Sequence, residues 1–168
     1  IAQQEVKLFD LAEGNLDESA TYQRCPHRLV HDIEFSRTGR WLASSGGDET
    51  WQLWDLHAGG MRRNPVIFRS RSGPVHMMIF SPDDKLVVTK SSHSKELSIW
   101  KMEKPRAMQQ PVTLRGHCDG IRHCCFGLDG RLFTEDHTGH LRVWTADDYR
   151  QCKFPVVWEA HAKRIRCM

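Results

Sequence analysis

Apolar residues fall along this chain in short runs that alternate with polar turns, and the runs recur. Residues 30–56 show the unit. Val30, Ile33 and Phe35 form one run, Trp41, Leu42 and Ala43 a second, and Trp51, Leu53 and Trp54 a third. β-Branched and aromatic side chains in runs this short predict strands. Arg37-Thr38-Gly39 and Gly46-Gly47-Asp48-Glu49 lie between them and read as turns, with glycine supplying backbone angles that a Cβ resists. Three short antiparallel strands cannot bury their own faces, so the unit predicts neighbours.

The neighbours are in the same chain. Phe9, Trp54, Trp100 and Trp144 end strand-like runs at spacings of 45, 46 and 44 residues. Val30, Val75, Ile121 and Ile165 open runs at the same three spacings. Phe35, Phe80 and Phe126 close those opening runs, and Pro65-Val66, Pro111-Val112 and Pro155-Val156 precede a fourth, outer strand. Proline is tolerated at a strand start or a sheet edge. A fixed period of this length is the mark of a repeat architecture. The expected units are 1–24 (partial), 25–64, 65–110, 111–154 and 155–168 (partial). Residues 21–23 read as a weak outer strand of the first partial unit, and residues 165–168 as the start of a further inner strand.

Composition narrows the class without naming a function. The 168 residues are 39% hydrophobic and 27% charged, as in a globular domain with many loops. A formal charge of +3, from 24 basic and 21 acidic residues, is too balanced to imply nucleic acid by itself. Arg62, Arg63, Arg69 and Arg71 are the best case for nucleic acid, and that balance argues against it. No run approaches the ~18 apolar residues of a membrane span. No signal peptide is visible at Ile1, and the polar stretch there suggests that the native N-terminus lies upstream. Cys25, Cys118, Cys124, Cys125, Cys152 and Cys167 do not recur at matching positions and contain no CxxC. They read as reduced thiols of a cytoplasmic, intracellular protein.

The units resemble WD repeats of the β-propeller family. Gly116-His117 and Ala160-His161 match the opening pair of that repeat. Phe35-Ser36 and Phe80-Ser81-Pro82-Asp83 match its middle, Leu42-Ala43-Ser44 its second strand, and Trp54-Asp55 its close. The resemblance covers nearly the whole chain. It implies an all-β fold, a segment of a propeller of four-stranded antiparallel blades, with about three full blades and partial blades at both ends. One sequence repeat would supply the outer strand of one blade and three strands of the next. It also implies no cofactor and no metal.

In that family the Gly-His histidine, a Ser or Thr on the second strand, an Asp in the next turn and the strand-ending Trp share hydrogen bonds. Ser44, Asp48 and Trp54 match three of the four, with His27 one residue out of register. The next unit keeps Thr89 and Trp100 but has Arg71 at the His position and Ser94 at the Asp position. The unit after it has His117, Thr134 and Trp144, with Thr138 at the Asp position, and His161 opens the last. A Ser/His/Asp reading would suggest a hydrolase. The set recurs once per repeat, whereas a nucleophile is needed once, so a structural network is the expectation. His117, Cys118, His123, Cys124, Cys125, His137 and His140 crowd one unit and invite a zinc reading. His123, Cys124 and Cys125 are consecutive on a strand, so they alternate faces and cannot all converge.

The residue after each opening Val or Ile is His31, His76, Arg122 and Arg166. Each is cationic or becomes so on protonation. Loops of a meander alternate edges, so these positions share one rim with the turns that carry His93, Lys95 and His137. The expectation is a basic, pH-sensitive ring that accepts an acidic or phosphorylated peptide, on a scaffold that binds proteins through its rim loops. The competing expectation is the sensor or substrate-recruiting part of a larger enzyme, such as a kinase or protease. A segment with a sheet face open at each end leaves apolar side chains in water, at ~25 cal/mol per Å². The 168-residue chain by itself is therefore expected to aggregate or fold poorly, and a sharp thermal transition from a monomer would contradict this.

Overall fold

The computed structural model describes residues 5–8, 21–24, 29–57, 64–92, 94–103, 105, 109–145 and 156–159. Every regular element among them is a strand. β1 (Glu5–Leu8) and β2 (Thr21–Arg24) form an antiparallel pair. The next twelve strands form three four-stranded antiparallel sheets, each in chain order. The first holds β3 (Val30–Phe35), β4 (Trp41–Gly46), β5 (Thr50–Asp55) and β6 (Val66–Arg69). The second holds β7 (Val75–Phe80), β8 (Leu86–Ser91), β9 (Leu97–Lys101) and β10 (Val112–Leu114). The third holds β11 (Ile121–Phe126), β12 (Leu132–Asp136), β13 (His140–Trp144) and β14 (Val156–Glu159). These are propeller blades, as the 45-residue period predicts. The further inner strand expected at residues 165–168 lies outside the described residues.

Second and third strands are buried on both faces, and β4 is buried along its whole length. Side-chain alternation therefore sends residues to two different cores. From β5, Trp51 and Leu53 join the core shared with the second sheet. Trp54 points the other way, with Leu42. Trp100 on β9 faces back into the first core, whereas Leu97 and Ile99 face forward into the second. Trp144 on β13 repeats the part of Trp100 against Leu97, Leu114 and Val88. Trp51 stacks on Phe68 at 4.0 Å, and Trp100 meets both rings edge-on at 5.4 and 5.3 Å. Aromatic pairs in such geometry contribute about 0.5–1.5 kcal/mol each beyond the area they bury.

Polar clamps hold the same seam at both edges. The Asp84 carboxylate accepts the backbone N–H groups of Arg37 at 2.9 Å and Thr38 at 3.1 Å, and also the Thr38 hydroxyl. At the inner strands, the Met78 N–H donates to Asp32 Oδ2 at 2.6 Å. Asp84 has φ 55, in a turn where the other two sheets place Gly39 at φ 72 and Gly130 at φ 80. Its side chain repays a conformation that L-residues resist. Glu49 has φ 64 where the third sheet has Gly139 at φ 86, and its side chain is exposed with no such bond.

The two positions should respond with opposite signs. Glu49→Gly removes left-handed strain of about 1 kcal/mol, less the backbone entropy that glycine adds, and should stabilise the protein. Asp84→Gly removes the same strain but strips the Ser36, Arg37 and Thr38 donors of their acceptor, and should destabilise by about 1 kcal/mol or more. Urea midpoints of the two variants, read against the parent, check both signs.

Candidate functional site

Each inner strand carries one irregularity, at the same place. The ladder slips between Val30 and Asp32, between Val75 and Met77, and between Ile121 and His123. The residue left over is His31, His76 or Arg122. A bulge of this kind re-aims the side chain it leaves unpaired. Val75 and Ile121 are buried anchors, while His31 and Arg122 are half-buried and His76 is exposed. The His31 and His76 rings stack at 4.0 Å with 20° between their planes. His31 Nδ1–H donates to the Val75 carbonyl at 3.2 Å, which ties the first bulge to the second strand set. Gly47 lies against the His31 ring, so that a Cβ there would meet it at 3.7 Å.

His137 is exposed on the neighbouring turn, and its N–H donates to the Gly120 carbonyl at 3.0 Å. Lys95 Nζ donates to the Cys118 carbonyl at 2.7 Å. The structure thus brings His31 and His76 together and puts Arg122 at the matching place on the third sheet. His93, His161 and Arg166 lie outside the described residues.

The third sheet holds a complete buried network. Trp144 Nε1–H donates to Thr134 Oγ1 at 2.9 Å, and Thr134 lies 2.7 Å from His117 Nε2. On the other side of the ring, His117 Nδ1–H donates to Asp136 Oδ2 at 3.0 Å. The carboxylate also accepts from Arg142 Nη1 at 2.8 Å and from the Thr138 N–H at 3.1 Å. Because a carboxylate only accepts, the Asp136 bond puts the ring proton on Nδ1 and makes Thr134 the donor to Nε2, with Arg142 Nη1 also 2.7 Å from Nδ1. The acid of the network is therefore Asp136. Thr138, which occupies the Asp position by spacing, donates to that carboxylate.

The connectivity Asp136–His117–Thr134 is that of a catalytic triad, but access is missing. Thr134 is 0% exposed, and its oxygen already gives one hydrogen bond and takes another. A nucleophile must reach substrate.

The other sheets build the same position differently. In the second, Trp100 Nε1–H donates to Thr89 Oγ1 at 2.9 Å. Ser91 stands where the third sheet has Asp136, and its hydroxyl lies 2.9 Å from that of Ser70. Arg71 is exposed and Ser94 caps its own turn through the Glu96 carbonyl at 2.8 Å, so neither joins Thr89. In the first sheet Ser44 is buried, and Asp48 Oδ1 accepts from the Thr50 N–H and hydroxyl at 3.2 and 2.9 Å. Trp54 Nε1 is buried without a hydrogen-bond partner. Asp32, Ser91 and Asp136 are polar residues that the repeat alignment passes over. In each case the signal was a polar residue placed inside a run that has to stay paired.

Cys118, Cys124 and Cys125 are free thiols. Burial pushes the Cys124 thiol up to about 12, so it is not a reactive nucleophile. Among the described residues no three His, Cys, Asp or Glu side chains converge as a metal site would require. Among them, too, no helix is long and apolar enough to cross a membrane.

Four-stranded antiparallel sheets, each leaning on the next through third-strand tryptophans, define a β-propeller repeat protein. The family described as "WD domain, G-beta repeat" matches residues 19–55 and 108–145. The chain belongs to the WD-repeat family. It is similar to rat apoptotic protease-activating factor 1, at 29% identity over 132 residues, covering 78% of this chain and 10% of that protein. Human WD repeat and SOCS box-containing protein 1 is 24% identical over 127 residues, with 75% and 29% covered. The guanine nucleotide-binding protein subunit beta of Schizosaccharomyces pombe is 26% identical over 136 residues, with 81% and 42% covered. The solved structure of U3-55K superposes with a TM-score of 0.64 at 18% identity, over 82% of this chain and 42% of that one, and supports the fold. The chain spans from about a tenth to under half of the length of these proteins. WD-repeat proteins generally mediate protein–protein interactions, and their repeats are generally non-catalytic.

The network makes stability depend on acid. Burial, together with the Arg142 cation and against the pull of Asp136, lowers the His117 pKa below its ordinary value. Burial alone would raise Asp136, but hydrogen bonds from Thr138, His117, the His140 backbone and Arg142 hold it well below the carboxylate range. In both cases the unfolded chain binds protons more readily than the folded one. Stability should therefore fall as pH drops below about 6.5, through His117, and again below about 4, through Asp136. Unfolding free energy from pH 7.5 to 5 should slope less steeply in His117→Gln than in the parent, and equal slopes would contradict the assignment.

Proposed function

We propose that this chain is a non-catalytic scaffold that holds protein or peptide segments against the rim formed by His31, His76 and Arg122. The single observation behind the reading is the coincidence of the three bulges with three basic side chains. The ladder is broken at one place per sheet, and each break presents a group able to carry positive charge. An acidic or phosphorylated segment is the ligand this favours, because charge-assisted hydrogen bonds to imidazolium and guanidinium groups are the strong ones. The free thiols of the third sheet support an intracellular setting.

A second reading is that the chain forms the sensor or recruiting portion of a larger multidomain protein. The similarity to apoptotic protease-activating factor 1, of which it spans 10%, supports that reading. The two are compatible, since a recruiting propeller would also bind through its rim. His93 and Arg166 would join the ring by their place in the repeat.

A fluorescent phosphoserine peptide flanked by glutamates tests the rim in the intact protein. Binding should tighten from pH 7.5 to 6 and weaken with salt. Arg122→Glu, with or without Arg166→Glu, should weaken it about tenfold, equivalent to ~1.4 kcal/mol. Binding that ignores the substitution across a salt series would count against the ring.

A further inference from the structure

Strand alternation puts the β3–β4 and β7–β8 turns at the edge opposite the imidazole rim. There they meet the segment after β9 around a cavity of about 370 Å³. Its floor is apolar: Trp41 and Met102 are 7% and 4% exposed and belong to the core between the first two sheets. Its walls are charged, by Arg40, Asp83, Asp84, Lys85 and Glu103.

Most of these charges are already engaged. Arg40 is held by Asp55, with Nη2 2.9 Å from Oδ2, and its guanidinium lies 4.6 Å over the Trp41 ring. Lys85 stands 3.5 Å from Asp83. The donors to Asp84 are neutral: the Arg37 and Thr38 N–H groups and the Thr38 and Ser36 hydroxyls. Glu103 is exposed and makes no hydrogen bond or ion pair among the described residues. Asp84 and Glu103 thus face an apolar-floored cavity whose cations among the described residues, Arg40 and Lys85, are each paired with another carboxylate, so that the described lining carries three carboxylates against two cations. That local excess is opposite in sign to the chain's net +3.

We infer that this cavity is a second docking point, which takes an arginine or lysine side chain of a partner protein. The methylene stem would lie along Met102 and Trp41, and the head group between Asp84 and Glu103. Amphipathic cations bury their stems and leave the charge at the surface in this way. The volume is at the lower end of the range for small-ligand pockets and suits one side chain rather than a folded element. Arginine fits better than lysine, because a planar guanidinium bridges two carboxylates and lies flat on an aromatic ring. Arg40 already pairs with one carboxylate, Asp55, and sits 4.6 Å over the Trp41 ring. The site is separate from the rim and prefers the opposite charge, so it stands or falls independently of the rim reading.

The test uses three pentapeptides with capped ends, Gly-Gly-X-Gly-Gly, where X is arginine, citrulline or glutamate, titrated into the intact protein and followed by NMR. Citrulline keeps the shape of arginine and removes its charge. The arginine peptide should shift the Trp41 indole N–H and the Lys85 and Glu103 amides, with citrulline at least fivefold weaker and glutamate without effect. Glu103→Gln is an exposed, fold-neutral change and should weaken the arginine peptide at least threefold. Lys104→Gln with Arg106→Gln removes the cations that follow Glu103 in sequence, and should leave binding equal or tighter. Equal binding of citrulline, preference for glutamate, indifference to Glu103→Gln, or loss of binding in the Lys104/Arg106 variant would each overturn the proposal.

Discussion

Face-to-face burial between consecutive sheets is the constraint from which the rest follows. No sheet here has a core of its own. β4 and β5 are buried on both faces, and the second sheet covers one of them. The seam between the first and second sheets is aromatic, with Trp51 and Phe68 stacked and Trp100 set edge-on against both. The seam between the second and third repeats the geometry with smaller groups. Leu97 and Leu114 stand in the places of Trp51 and Phe68, and Trp144 in that of Trp100. The strand-ending tryptophan is the common part, and what it packs on is free to vary. With the strands clamped in this way, the opening Val75 and Ile121 are fixed, and the residues after them are left to bulge outward.

The buried polar positions show how far a repeat can drift while its sheets stay in place. Trp100 and Trp144 each find a threonine hydroxyl on the adjacent strand. Beyond that pair the sheets diverge. The third adds Asp136, His117 and Arg142, while the second makes do with Ser70 and Ser91. Arg142 stands where the other two sheets have Gln52 and Ser98. A buried arginine is tolerable only with a partner, because a lone buried charge has a large desolvation cost. Arg142 and Asp136 are therefore one feature. Either alone would be a liability; beside His117, Asp136 favours the imidazolium form, while burial and the Arg142 cation oppose it and prevail. A set of groups that resembles hydrolytic machinery is better understood as the satisfaction of buried polar atoms.

Much of this was legible in the sequence. The four phase markers gave strand order and sheet count, because third-strand tryptophans and opening aliphatic residues are the groups that packing constrains most. The second strands run further than their apolar runs, to Ser91 and Asp136. Lys90, Ser91, Glu135 and Asp136 do not look like strand residues, yet the backbone ladder continues through them. That is why Asp136 was missed: spacing from Asp48 leads to Thr138, and only the extended ladder brings the carboxylate two residues earlier under His117. The rim residues were placed by position alone, and the bulge that aims them left no mark in composition. The Asp32 bridge and the Asp84 clamp were out of reach, since each joins side chain to backbone across two repeats and obeys no period.

The account stands on coupling between sheets, and a double-mutant cycle across the aromatic seam measures it directly. Phe68→Leu and Trp100→Leu lie on different sheets, and the first copies the leucine, Leu114, already present at the next seam. Unfolding free energies of the intact parent, the two single variants and the double variant should give an interaction energy of about 0.5–1.5 kcal/mol. Strictly additive losses, with no interaction energy, would mean that the sheets do not support one another as described.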